Sequence, residues 1–184
     1  MLEKFKILGK TLKYHGHIVD FYAYDLQVPN GNKAQWDIIE HKGAAAILPV
    51  DSDGKIIMVR QYRGAIDDLL LEIPAGGRDS VEEEFITCAS RELEEEIGFR
   101  SEHIFPLIDY HSAAAYTSEL IRIFYTEELI PSHQHLDEDE VIEVEAWELK
   151  DLEEMIYTGK ITDGKTIAST VGTKGVQEEY KNSV

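Results

Sequence analysis

Residues 77–99 read Gly77-Arg-Asp-Ser-Val-Glu-Glu-Glu-Phe-Ile-Thr-Cys-Ala-Ser-Arg91-Glu92-Leu93-Glu94-Glu95-Glu96-Ile97-Gly98-Phe99. Ser80 followed three residues later by Glu83 has the form of a capping box, which predicts that a helix opens here. Val81, Phe85, Cys88, Ala89, Leu93 and Ile97 recur at helical spacing, so one face of that helix belongs to the core. Gly98 offers the left-handed residue that ends a helix. Glu92 and Glu96 lie one turn apart and project from the same side, with Glu95 beside them.

Three crowded carboxylates have two readings. On an open surface they solvate the helix, and a like-charge pair at i,i+4 costs only about 0.2–0.5 kcal/mol. In a cleft, two carboxylates about 4 Å apart repel by roughly 4 kcal/mol at an effective dielectric of 20, which protonation or a cation must relieve. Oxygen-only ligands select a hard cation, Mg2+ or Mn2+.

Written as a pattern, the stretch is G-x5-E-x7-R-E-L-x-E-E-x-G-F, and it resembles the full Nudix box, the signature of hydrolases that use divalent metal to cut a diphosphate linking a nucleoside to another group. Even with this chain's surplus of glutamate, residue frequencies let chance supply all nine matches less than about once in 10^8 starting points. The resemblance implies a brace between Arg91 and Glu83 that holds loop to helix, with Gly77 and Gly98 as structural positions of the box.

The chain has 184 residues, enough for one domain with a substantial core and a small appendage. Thirty-six acids face 18 Lys and Arg, a formal charge of −18, which argues against a nucleic-acid partner. An anionic substrate must then be met by local cations and metal. Cys88, the one cysteine, falls on the apolar helix face and reads as a small core residue. The N-terminal residues break every apolar run with a charge, and the longest apolar stretch, Gly43 to Val50, is too short to span a bilayer. A soluble, cytoplasmic protein with no membrane partner is expected. The H-x-H pairs at His15/His17 and His133/His135 read as solvated histidines, since no third ligand accompanies either.

Alternation predicts a strand over His17–Val28, a turn at Pro29–Asn32 and a returning strand over Lys33–His41, giving an N-terminal β hairpin subdomain over residues 1–42. Residues 43–184 then form the main domain. Strands are predicted at Ala44–Val50, Lys55–Tyr62, Leu69–Ile73, Ile104–Tyr110, Leu120–Thr126 and Val141–Trp147, and helices near Asp151–Thr158 and Gly164–Tyr180. Strands on both sides of one long helix, with more helix at the end, predict an α/β fold. The expected architecture is a mixed sheet sandwiched by helices, as in the Nudix α/β/α sandwich.

Outside the box, Val59-Arg-Gln-Tyr-Arg63, Leu71-Glu-Ile-Pro-Ala-Gly-Gly77 and Leu136-Asp-Glu-Asp-Glu140 resemble segments of ADP-ribose pyrophosphatases. That resemblance implies a homodimer exchanging its hairpin subdomains, with Trp36 stacking on the base; Trp36 also reads as a hairpin-packing residue. It implies Glu92, Glu96, the Ala75 carbonyl and Glu140 as metal ligands and Glu95 as an assisting carboxylate. It further implies Glu138 as the base for water and Arg63 as a cation for phosphate. Where such enzymes carry a Ser-Pro-Gly-Phe-like loop, this chain reads Ala113-Ala-Ala-Tyr116. Ala114 replaces the proline, while Tyr116 keeps the aromatic at a substrate-binding position. The implied reaction is Mg2+-dependent hydrolysis of ADP-ribose or a related ADP-sugar to AMP and a sugar phosphate. Two alternatives stay open: a pyrophosphatase for another nucleoside diphosphate sugar such as GDP-mannose, whose enzymes share the Asp163-Gly-Lys-Thr166 segment, and a domain that senses ADP-ribose without cutting it.

Overall fold

A computed structural model describes residues 2–181. The chain begins with a three-stranded antiparallel sheet, β1 (Lys6–His15), β2 (Asp20–Gln27) and β3 (Lys33–Glu40). The predicted hairpin is therefore the second half of a larger unit, and its first strand starts at Asp20 because Gly16–Val19 makes the turn, with the Gly16 N–H donating to the Val19 carbonyl. Strand β1 gives no apolar run in the sequence because it lies at the sheet edge, with Ile7, Leu8, Leu12 and Tyr14 all exposed. His15 sits at the turn, its ring nitrogen 2.5 Å from the Asp20 carboxylate.

The main domain has two further sheets of substance. One is mixed, in the order β7 (Ala75–Gly77), β4 (Ala44–Pro49), β10 (Leu120–Thr126), β9 (Phe105–His111), with β4 and β10 parallel and the other pairs antiparallel. The other is antiparallel, in the order β12 (Ile142–Trp147), β5 (Ile56–Arg63), β6 (Asp68–Glu72). A short pair joins β8 (Phe99–Arg100) to β11 (Ile130–Pro131).

Strand β4 is buried on both faces, and its alternation assigns each residue to a layer. Ala45 and Ile47 pack with Cys88, Ala89, Leu93 and Ile97 of α1 (Phe85–Ile97). Ala46 and Leu48 pack toward Leu152 of α2 (Leu149–Tyr157) and Ile167 of α3 (Gly164–Lys181). Helices thus cover both faces, which is the predicted α/β/α sandwich. Cys88 lies in the core as expected, and burial pushes its thiol up to about 11.

Helix α1 begins at Phe85 rather than at Ser80. Ser80 and Glu83 form a turn instead of a capping box, the Ser80 hydroxyl accepting from the Glu82 N–H at 3.2 Å and the Glu83 carboxylate from the Asp79 N–H at 2.7 Å. Glu84 is the N-cap and makes no side-chain cap bond, and Val81 is exposed. Arg78 fixes this loop by donating to the carbonyls of Glu83 and Lys42 at 2.6 and 2.8 Å and to that of Val81, with its guanidinium 4.3 Å from the Phe85 ring centroid. The other end of α1 is as predicted, Gly98 having φ of 72°. No described helix is long and apolar enough to cross a membrane.

Candidate active site

Strand β7 and helix α1 place the predicted ligands together. The Ala75 N–H donates to the Glu96 carboxylate at 2.9 Å. Gly76 lies directly against Glu92: a Cβ there would meet the Glu92 carboxylate oxygens at 2.0 and 2.5 Å, so only glycine lets that carboxylate rest on the loop backbone. Glu92 is 7% and Glu96 2% exposed. This excludes the reading of a solvated acidic helix for these two residues.

Arg91 is the brace that the box spacing implies. Its Nη1 contacts both the Glu92 and Glu95 carboxylates at 2.7 Å, its Nη2 donates to the Gly77 carbonyl at 2.9 Å, and Nε approaches Glu83 at 3.4 Å. Glu95 is thereby held in an ion pair at the rim of the site.

Burial pushes Glu92 from an ordinary 4.5 up to about 7, against the pull of Arg91 and with help from the charges of Glu95 and Glu140. Glu96 is pushed up to about 8, first by burial, then by the charge of Glu92, with Glu140 adding to it and the Ala75 N–H opposing. Two buried carboxylates so disposed fit a divalent cation bound through hard oxygen donors. Among the described residues no group of three His, Cys, Asp or Glu side chains is gathered to hold a metal alone, so a main-chain oxygen such as that of Ala75 suits the remaining role.

The structure brings Ala75, Gly77, Glu83, Arg91, Glu92, Glu95, Glu96 and Gly98 into one unit, and the charge of Glu140 reaches the buried pair. Glu138 is exposed in the turn 137–140. Trp36 is 47% exposed on β3 and packs on Phe5, ring centroids 5.3 Å apart. Tyr116 has an exposed ring, and its carbonyl accepts from the Ile39 N–H at 2.7 Å, which ties the 113–118 loop to β3 three residues beyond Trp36.

Beside the pair opens a cleft of about 480 Å3 lined by Arg63, Glu72, Ala75, Gly76, Tyr110 and Lys165, among others. A wider hollow of about 820 Å3 lies over the outer side of α1; Glu92 and Glu96 line neither, but Ala75 and Gly76, which touch them, line the first. Arg63 enters the cleft already paired, its Nε and Nη2 donating to the two oxygens of Glu72 at 2.8 and 2.7 Å. Five N–H groups on a guanidinium leave three for a ligand.

Glu72, 1% exposed, also takes a contact from Lys165, which reaches Asp163 at 3.0 Å. Burial alone would raise the Glu72 pKa, yet Arg63 and Lys165 together hold it below its ordinary value. Asp163 caps α3 through the Thr166 N–H at 2.9 Å, and the Thr166 hydroxyl accepts from the Ile73 N–H. The sequence alone assigns no role to Glu72. Its one local signal is an acid between Leu71 and Ile73 in an apolar strand, and of its two cationic partners Arg63 lies 9 and Lys165 93 residues away.

This arrangement defines a class, a pair of buried carboxylates on a loop–helix box beside a cation-lined cleft inside an α/β/α sandwich. The NUDIX domain family profile matches residues 40–169, and the chain belongs to the Nudix family. It is 35% identical over 163 residues to an ADP-ribose pyrophosphatase of Bacillus subtilis, covering 88% of each chain. It is 32% identical over 164 residues to a methanol dehydrogenase activator of Bacillus methanolicus, covering 86% of this chain and 88% of that one. A solved ADP compounds hydrolase superposes with a TM-score of 0.84 at 22% identity over 98% of this chain and 97% of that chain, a likeness of fold.

Proposed function

We propose that the protein hydrolyses the diphosphate of ADP-ribose or a related ADP-sugar to AMP and a sugar phosphate, with Mg2+, or Mn2+ in its place, as cofactor. The observation that carries this is the buried Glu92/Glu96 pair on Gly76, beside a cleft lined by Arg63. Similarity to the Bacillus subtilis enzyme over 88% of the chain supports the substrate class.

Glu92, Glu96, the Ala75 carbonyl and Glu140 would hold the metal. Once bound, it supplies positive charge that neutralises the diphosphate and the charge developing on the leaving phosphate. Arg63 orients a phosphate, Arg91 holds Glu92 in place, and Glu95 assists at the rim. Water attacks one phosphorus, the P–O bond to the bridging oxygen breaks, and the proton of the water passes to the Glu138 carboxylate when the acidic turn closes. The N-terminal unit, residues 1–42, would serve dimerisation and base binding, with Trp36 and Tyr116 on the nucleoside. The working compartment is the cytoplasm.

A second substrate is favoured by two features. Ala114 stands where ADP-ribose hydrolases carry proline, and Lys165 of the Asp163–Thr166 segment lines the cleft. Both suit another nucleoside diphosphate sugar such as GDP-mannose. The sensing alternative is disfavoured because every box carboxylate is present and the central two are buried. Turnover of ADP-ribose, ADP-glucose and GDP-mannose under Mg2+ tests the reading. AMP released fastest from ADP-ribose is expected, GMP released fastest from GDP-mannose transfers the assignment to the second substrate, and no turnover of any overturns it.

A further inference from the structure

Residues 132–135 lie across the C-terminal end of α1 and are bonded to it four times. The Ser132 N–H donates to the Gly98 carbonyl at 2.7 Å and its hydroxyl to the Glu94 carboxylate at 2.6 Å. The Gln134 side-chain amide donates to the Glu96 carbonyl at 2.6 Å, and the His135 N–H to the Glu95 carbonyl at 3.0 Å. The last carbonyls of a helix have no partner within it, so this strap supplies donors that the helix itself lacks. Its close approach needs the box glycine for a second reason besides φ. A Cβ on Gly98 would stand 3.0 Å from the Gln134 nitrogen and 3.5 Å from the His133 carbonyl carbon.

The chain beyond the strap forms the acidic turn, closed by the Glu140 N–H on the Asp137 carbonyl at 3.1 Å and by the Asp137 N–H on the Glu140 carboxylate at 3.2 Å. Strand β12 then pairs Ile142 with Gln61 of β5. The turn is thus hung between two fixed points, the end of α1 and strand β5. The near point is attached to the main chain of Glu96, whose own side chain is in the buried pair.

We infer that Gln134 is a positioning residue: its amide bond to the Glu96 carbonyl sets where the acidic turn starts, and so sets the approach of Glu140 and Glu138 to the buried carboxylates. Gln134 touches no substrate and moves no proton. The inference rests on the hydrolase reading for its effect on rate, but the anchor itself does not.

Gln134→Met keeps length and removes the side-chain amide, and with it the donor to the Glu96 carbonyl. In the metal-free protein, amide hydrogen exchange over residues 135–141 is expected to quicken in this variant while α1 stays as protected as in the wild type. Unchanged exchange there overturns the anchor whatever the enzyme does. In the Mg2+-loaded enzyme, kcat should fall about tenfold, within the range that a small misplacement of catalytic groups costs, with KM held within about twofold. Placed in a background carrying both Glu138→Gln and Glu140→Gln, the same change should cost little further, because all three act through one element. A full and independent loss in that background, or wild-type kcat in Gln134→Met, removes the positioning role. A wild type without turnover removes the hydrolase reading and leaves the exchange result to judge the anchor.

Discussion

At the scale of the residue, Glu92 and Glu96 are expensive to ionise, and this has a sign. Each has a folded pKa above the unfolded 4.5, about 7 and about 8. The stability they allow is fully present below about pH 4.5 and is lost as pH rises through 7 and 8. Metal-free protein should therefore melt lower at pH 8.5 than at pH 6 by an amount traceable to this pair, each tenfold change in proton affinity being worth about 1.4 kcal/mol. Binding must displace the same protons, so the rise in Tm on adding Mg2+ should be larger at pH 8.5 than at pH 6. Thermal melts at the two values, with and without Mg2+, check both. Glu96→Gln removes one charge at nearly constant shape. It should flatten the metal-free pH dependence, raise Tm at pH 8.5, and lower turnover by at least about a hundredfold, the scale on which a catalytic group acts. Near-normal turnover at saturating Mg2+ would remove Glu96 as ligand. These two carboxylates were legible in the sequence because one helical turn sets their spacing. Glu72, Arg63 and Lys165 were not legible as a cluster, because strand and helix segments distant in the chain bring them together.

At the scale of the element, helix α1 shows what local pattern can and cannot say. Its apolar face and its Gly98 stop were readable because both obey the helix's own period. Its start was not, since Ser80 and Glu83 match a capping box but the loop is claimed by Arg78, whose partners lie at Lys42, Val81 and Glu83. Arg78→Ala strips donors from three carbonyls and removes the cation over Phe85. The cost should be on the order of 1–3 kcal/mol, which for a chain of this size lowers Tm by about 3–10 °C. Calorimetry measures it, and an unchanged Tm would mean that water replaces all three bonds without loss. The acidic turn is the other element that pattern alone left open. Glu138 is exposed in that turn, and its proposed service as base has the turn close on substrate. Glu138→Gln should cut kcat by about 10^2–10^4 with Mg2+ affinity intact. Retention of more than about a tenth of kcat, against that expected loss, would move the base to Glu95.

At the scale of the whole molecule, the N-terminal sheet leaves several large apolar side chains uncovered. Strand β1 carries Ile7, Leu8, Leu12 and Tyr14 into solvent, and Trp36 on β3 is covered only in part by Phe5. The sheet is not adrift from the cleft, however. The Ile39 N–H holds the Tyr116 carbonyl, the Ser118 N–H holds the Ile39 carbonyl at 3.0 Å, and the Lys42 carbonyl is held by Arg78 of the box loop. A ring on β3 is thus mechanically linked both to the 113–118 loop and to the box loop. If Trp36 stacks on the base, Trp36→Ala should weaken substrate binding by roughly ten- to a hundredfold, the equivalent of about 1–3 kcal/mol for one aromatic stack. Turnover at saturation should hardly change, because the carboxylate pair and Arg91 are untouched. If Trp36 only packs the sheet against Phe5, the same variant should lower Tm and leave KM where it was. Light scattering adds the second half of the test. A dimer at micromolar concentration, split by charged substitutions at Leu8 and Leu12, should lose substrate affinity on dissociation when the base site is shared between subunits, whereas a monomer with full affinity would confine the whole site to one chain.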